Sequence, residues 1–172
     1  LYRPNDKFTL ETRYGKLINI KGIESDQLLM YYEDAIQIQN SVNPFTDGST
    51  SYSADLGNGG IFAKRATTLR ATDIGYGGTQ SKQTLSCEFG HFHADLKRGQ
   101  VFSFNGKNLE EVSRYSGGKP NGMDVWFKEH LPMKFLKVFP DYYKKDNPYS
   151  TIGIHWGYDS KYRRVILTKK DY

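Results

Sequence analysis

Four histidines and a single cysteine carry most of the reactive side-chain chemistry in this 172-residue chain. His91 and His93 stand two apart in GHFHAD, so on a strand both imidazoles project from one face. Such a pair is the start of a zinc site if Asp95, His130 or His155 supplies a third ligand. No recognisable ligand spacing links those candidates. The reading is therefore two imidazoles hydrogen-bonded on a strand face, with no metal and no cofactor, and a metal-assisted hydrolase is the least supported class. Cys87, His91 and Asp95 have the residue types of a nucleophile, a base and an orienting acid. Along one extended strand, each step of four residues separates them by about 13 Å, beyond hydrogen-bonding reach. The acidic pairs Glu110-Glu111 and Asp26 with Glu33 have no pocket to set the carboxylate separation that glycoside hydrolysis needs. GYGGTQSK, residues 75–82, has the glycines of a phosphate loop without its closing Gly-Lys-Ser/Thr. No enzymatic activity and no catalytic residue is expected. Exposed aromatics remain. Tyr142, Tyr143, Tyr149 and Trp156 are the candidates for stacking on a sugar or for burial in a protein interface, and the interface is the preferred reading.

The elements that would position these residues read as short antiparallel strands. In residues 90–113, the alternating HFHAD, the turn Lys97-Arg98-Gly99, the apolar QVFSF, the turn Asn105-Gly106-Lys107 and the run LEEVS predict a meander. Asn-Gly between apolar alternations is the strongest local hairpin signal. The unit extends back to residue 84, where Cys87 is a small half-buried strand residue. A second meander is expected over residues 17–39, with strands at 17–20, 27–32 and 35–39. Two such units in one chain favour a repeated, blade-like architecture. Residues 43–60, rich in Asn, Ser, Thr, Asp and Gly, read as a long loop. Residues 61–69 are strand or short helix, and 72–83 form a Gly-rich connection. One helix is expected over 122–131. Met123, Trp126, Phe127, His130 and Leu131 would form its apolar face against a sheet, and Pro132 would end it. Residues 135–149 have no clear period, and 151–170 read as a terminal strand pair.

Composition agrees with a turn-rich β protein. Aromatics reach 15%, led by 13 Tyr and 10 Phe, with 17 Gly supplying turns. Mean hydropathy is −0.67, and no apolar run approaches the roughly 18 residues of a membrane span. One cysteine excludes an internal disulfide framework. The net charge of +5, from 24 basic and 19 acidic residues, is too mild and dispersed to demonstrate a polyanion partner. The chain starts at Leu1 and ends just after an apolar strand, so both ends read as cut from a longer polypeptide.

Several segments in succession carry a family resemblance. They are GGTQSK (77–82), EFGHFHAD (88–95) with RGQVF (98–102), LEEVS (109–113), WFKEHLP (126–132), and GYD (157–159) followed by RRVILTKKD (163–171). In this order they resemble the tail stabilization, or muzzle, protein of crAss-like gut bacteriophages, over roughly residues 17–172. The resemblance implies a structural virion protein of a short-tailed phage, assembled in the host cytoplasm, with a propeller-like β domain. It also implies a homo-oligomeric, ring-shaped nozzle, in contact with other tail proteins and in passing with DNA that leaves through it. No catalytic residues transfer. At 172 residues the chain is too short for an entire nozzle subunit. The alternative is a carbohydrate- or receptor-binding β domain using Tyr142, Tyr143, Tyr149 and Trp156.

Overall fold

A computed structural model describes residues 12–24, 27–40, 43–47, 50–54, 65–70, 75–116, 119–120, 122–130 and 153–170. The chain is mainly antiparallel β with one α-helix. It divides into two compact units, residues 1–69 and 70–172.

In the first unit, β1 (Leu17–Glu24), β2 (Gln27–Tyr32) and β3 (Ile36–Asn40) form the expected meander, and β6 (Thr67–Leu69) adds to β3. Residues 67–69 are therefore strand, which settles one end of the ambiguous 61–69 stretch. Strand β2 ends in four consecutive buried residues, Leu29, Met30, Tyr31 and Tyr32, so both of its faces are covered there. Tyr14 is buried beside Tyr32, with ring centroids 6.3 Å apart, and its hydroxyl accepts a hydrogen bond from Thr68 Oγ1 at 3.2 Å. Within 43–60, expected as a long loop and with residues 48–49 and 55–60 outside the described residues, β4 (Asn43–Asp47) and β5 (Thr50–Ala54) pair as antiparallel strands. Their polar, Thr- and Ser-rich composition disguised the pairing: backbone ladders need no apolar alternation, and Thr is itself a good strand former.

The second unit is built on a sheet in the order β10-β9-β8-β7, from β7 (Leu85–Cys87), β8 (Gly90–Asp95), β9 (Gln100–Phe104) and β10 (Leu109–Glu111). The Asn-Gly turn forms as expected. Asn105 Oδ1 accepts from the amides of Lys107 at 3.0 Å and Asn108 at 2.8 Å, an Asx-type closure. Strand β10 stops at Glu111 rather than Ser113, because the amides of Val112 and Ser113 both turn onto the Val101 carbonyl at 2.9 and 3.4 Å. Beyond it lie the short pair β11 (Tyr115–Ser116) and β12 (Lys119–Pro120), helix α1 (Met123–His130), and the hairpin β13 (Gly153–Asp159) with β14 (Arg164–Lys170). The strand pair expected over 151–170 is this hairpin.

One face of the β8–β9 pair carries Ala94 and Val101, which form a core with Leu96, Phe127 and Ile154. Val112, Trp156 and Leu167 pack against its border. The helix contributes less than its pattern suggested. Phe127 is buried, a gain of about 2 kcal/mol, but Met123, Trp126 and His130 on the expected apolar face are exposed. Leu131 lies outside the described residues. The sheets stay open in the described residues: two have four strands and three have two.

Helix and sheet meet most closely at Gly99. Its φ of +65° is a left-handed turn, and a Cβ there would lie 2.7 Å from both Lys128 Cα and the Phe127 carbonyl oxygen. Backbone cannot yield as a flexible side chain can. Gly99→Ala is expected to cost about 2–3 kcal/mol and to loosen the helix from the sheet. Urea unfolding and the near-ultraviolet signal of Trp126 and Trp156 measure the two effects.

Candidate functional site

Strand β8 is where the candidate residues can be compared directly. His91, His93 and Asp95 do share a face, opposite Phe104, Phe102 and Gln100 of β9. Cys87 does not continue that strand. A turn at Glu88-Phe89 reverses the chain and puts Cys87 across from Gly90, while Ser86 stands across from His91. The 13 Å spacing therefore fails as a description, because it assumed one extended strand. Ser86 Oγ lies 2.7 Å from His91 Nδ1, a cross-strand hydrogen bond on the sheet.

His93 is fully buried and its ring stacks on Phe102, with centroids 5.2 Å apart and planes 10° from parallel. Burial alone pushes its imidazole down to about 3, so it is neutral in the folded chain at ordinary pH. Of the residues proposed as a third metal ligand, Asp95 shares this face, with its carboxylate engaged by the β8–β9 turn and Gln80, while His130 and His155 lie elsewhere. His130 ends α1, stacked on Trp126 at 4.6 Å, with Nδ1 2.8 Å from the Trp126 carbonyl oxygen. His155 lies on β13. Among the described residues no three His, Cys, Asp or Glu side chains gather in metal-binding geometry.

Asp95 is the hub of a polar cluster that sequence reasoning missed. The Gly-rich residues 77–81 pack on the β8–β9 turn instead of opening toward solvent, and Thr79, Gln80 and Ser81 are completely buried. Thr79 Oγ1 donates to the Ala94 carbonyl at 2.8 Å. Gln80 Oε1 accepts the amides of Leu96 at 2.7 Å and Lys97 at 3.0 Å, and its Nε2 donates to Asp95 Oδ1 at 3.2 Å. Gly77 sits against the Phe102 ring so closely that a Cβ would fall 2.6 Å from Cζ. Gly77 is thus explained by close packing. The partners of Thr79 and Gln80 are 15 to 17 residues away in sequence, a distance no local pattern reveals.

The second unit also carries an apolar groove of about 660 Å³, bordered by Phe92, Val112, Met123, Trp126, Trp156 and Ile166, with Arg164 at its polar side. Of the aromatic candidates, Trp156 is here, half-buried, its ring 6.3 Å from Phe92. Its buried Nε1 finds no acceptor among the described residues. Tyr142, Tyr143 and Tyr149 lie outside the described residues. The exposure of Met123 at 49%, Val125 at 57%, Trp126 at 50% and Ile166 at 39% makes the surface around the groove unusually apolar.

At the far end of the β13–β14 hairpin, Glu88 accepts hydrogen bonds from Tyr158 Oη and from Arg163 Nε, the latter at 3.1 Å. The Tyr158 hydrogen bond, followed by that from Arg163, holds the Glu88 carboxyl below its usual range. Arg163 adopts a left-handed φ of +50° and lies over the Phe89 ring at 5.3 Å. Arg164 is paired with Asp159 at 3.0 Å. Two of the three cations in the Lys161–Arg164 cluster are thus partnered by carboxylates, which fits a surface clasp better than an open anion site. Comparison with protein-family models, with curated proteins and with solved structures returns no match.

The buried imidazole has a measurable consequence. An unfolded His93 binds a proton near 6.5 whereas the folded one resists it down to about 3. Its contribution is fully present above pH 6.5 and is lost as pH falls toward 3, at about 1.4 kcal/mol per pH unit. Between pH 6.5 and 5 the chain is expected to lose about 2 kcal/mol from this group. Chemical denaturation of the wild type and of His93→Gln over that range checks it; the variant is expected to lack this component of the slope.

Proposed function

We propose that the chain is a structural virion module, a segment of the tail muzzle of a short-tailed crAss-like phage. In this reading it contributes to a homo-oligomeric ring that closes the tail and through which DNA exits. The observation that carries the reading is the apolar surface around α1 and β14, where Trp126 and Ile166 stand beside a groove lined by Phe92 and Trp156. Surfaces of this kind are enriched at protein–protein interfaces. The antiparallel architecture supports it too. Each four-stranded sheet, β1-β2-β3-β6 and β10-β9-β8-β7, has the strand number of a propeller blade. The choice of assembly within this proposal rests on the ordered series of sequence segments that resembles the muzzle protein.

A ring requires two unlike patches that meet head to tail and close by rotation. The purified 172-residue chain, and the full reading frame that contains it, are expected to form discrete oligomers by mass photometry across the micromolar range. Trp126→Asp with Ile166→Asp, both exposed positions, is expected to shift that population to monomer with little loss of fold. A full-length chain that stays monomeric throughout, or oligomers indifferent to the double substitution, would overturn the assignment of this surface.

A further inference from the structure

The two oxygens of the Asp95 carboxylate do different jobs. Oδ1 takes three donors: Gln80 Nε2 at 3.2 Å, the Lys97 amide at 3.0 Å and the Arg98 amide at 3.2 Å. Oδ2 faces the Gly78 amide at 3.5 Å and Arg98 Nε at 3.8 Å. The first set closes the β8–β9 turn on itself and on Gln80. The second ties in residues 76–78, since Arg98 also donates to the Tyr76 carbonyl through Nη1. Thr79 and Gln80 hold separately to Ala94, Leu96 and Lys97. One carboxylate therefore serves two anchorages, one dense and one sparse.

We propose that Asp95 is a proton-operated latch, in which a proton taken up on Oδ2 frees the Gly78 amide and the Arg98 side chain from the carboxylate while Thr79 and Gln80 stay bound. The proton turns Oδ2 from an acceptor into a donor that faces two donors, the Gly78 N–H and the Arg98 guanidinium, so both contacts are lost together. Oδ1 keeps lone pairs for its three amide partners.

The surroundings leave this equilibrium to few groups. The charged side chain facing the carboxylate among the described residues is Arg98, on its own turn. The 76–81 segment presents Gly78 and Gln80, which are uncharged, and β9 presents Gln100 opposite. Lys97 meets the carboxylate through its amide, β8 contributes His93 held neutral, and α1 approaches the turn by its backbone at Gly99. Burial is the largest influence and raises the carboxyl above the ordinary 3.8, against the lowering effect of its hydrogen bonds. The folded chain then accepts this proton at higher pH than the unfolded chain does. Protonation of this group favours the folded state, and release is local rather than global.

The test is a nuclear magnetic resonance titration of the 172-residue chain, following the Asp95 carboxyl carbon and amide exchange corrected for its intrinsic pH dependence. Gly78 is expected to exchange at least about tenfold faster once the proton is bound, with the midpoint of the carboxyl carbon, while Leu96 and Lys97 keep their protection. Arg98→Gln removes the facing cation and is expected to move both midpoints to higher pH together. Asp95→Asn, if it folds, is expected to show fast Gly78 exchange at neutral pH with no titration. Loss of Gly78 and Lys97 protection in one step, or a Gly78 midpoint that does not follow the Asp95 carbon in the wild type or Arg98→Gln, overturns the latch.

Discussion

Strand β8 has to satisfy two unlike faces at once, and the rest of the second unit follows from how it does so. On one face Ala94 joins Val101, Leu96, Phe127 and Ile154 in a purely apolar contact. On the other, His91, His93 and Asp95 follow one another at alternate positions, across from Phe104, Phe102 and Gln100. A strand with polar groups on a covered face is stable only if those groups are neutral or hydrogen-bonded. His93 meets the condition by staying uncharged against Phe102. Asp95 meets it by collecting donors from the turn and from residues 78–80. The helix and the β13–β14 hairpin serve the first face, and the Gly-rich segment serves the second.

The two ionisable groups on that second face answer acid in opposite senses. His93 resists its proton when folded, so acid favours the unfolded chain. Asp95 takes its proton more readily when folded, so its protonation opposes unfolding. Burial is the common cause, because it disfavours whichever form is charged. Two residues apart on one strand, the same dielectric penalty therefore has opposite consequences for an imidazole and a carboxylate.

What was legible in the sequence was what short-range pattern encodes. QVFSF, the Asn-Gly turn and the 17–39 meander are local statements about alternation and turn chemistry, and they match β9, its loop, and β1 to β3. The 43–54 hairpin was not legible, because its strands lack the apolar alternation that a buried face imposes. The α1 pattern located a helix and overstated its burial: periodicity marks the side that could pack, whereas the partner surface decides how much does. Only Phe127 among the described helix residues is buried. The Asp95 cluster was illegible for a different reason. Gly-Gly-Thr-Gln-Ser has the look of a solvent-exposed connection, and only its distant partner strand makes it interior. The same applies to Glu88, Tyr158 and Arg163, which meet across 70 to 75 residues.

The β13–β14 hairpin belongs to a separate sheet from β7 to β10, although β13 lies against β7. It is attached through side chains: Ile154 and Trp156 on the core face, the Glu88 clasp at its tip, and Lys169 bonded to the His130 carbonyl at 2.5 Å. Among the described residues the ribbon and the sheet share no backbone ladder. Strand β7 is the last of its sheet, and an edge strand carries amides and carbonyls that can pair with an extended chain unless something covers them. The ribbon's hold on the neighbouring sheet is concentrated in a few side chains at the tip and the base, so Glu88 and Trp156 join two sheets that hydrogen-bonded strands do not.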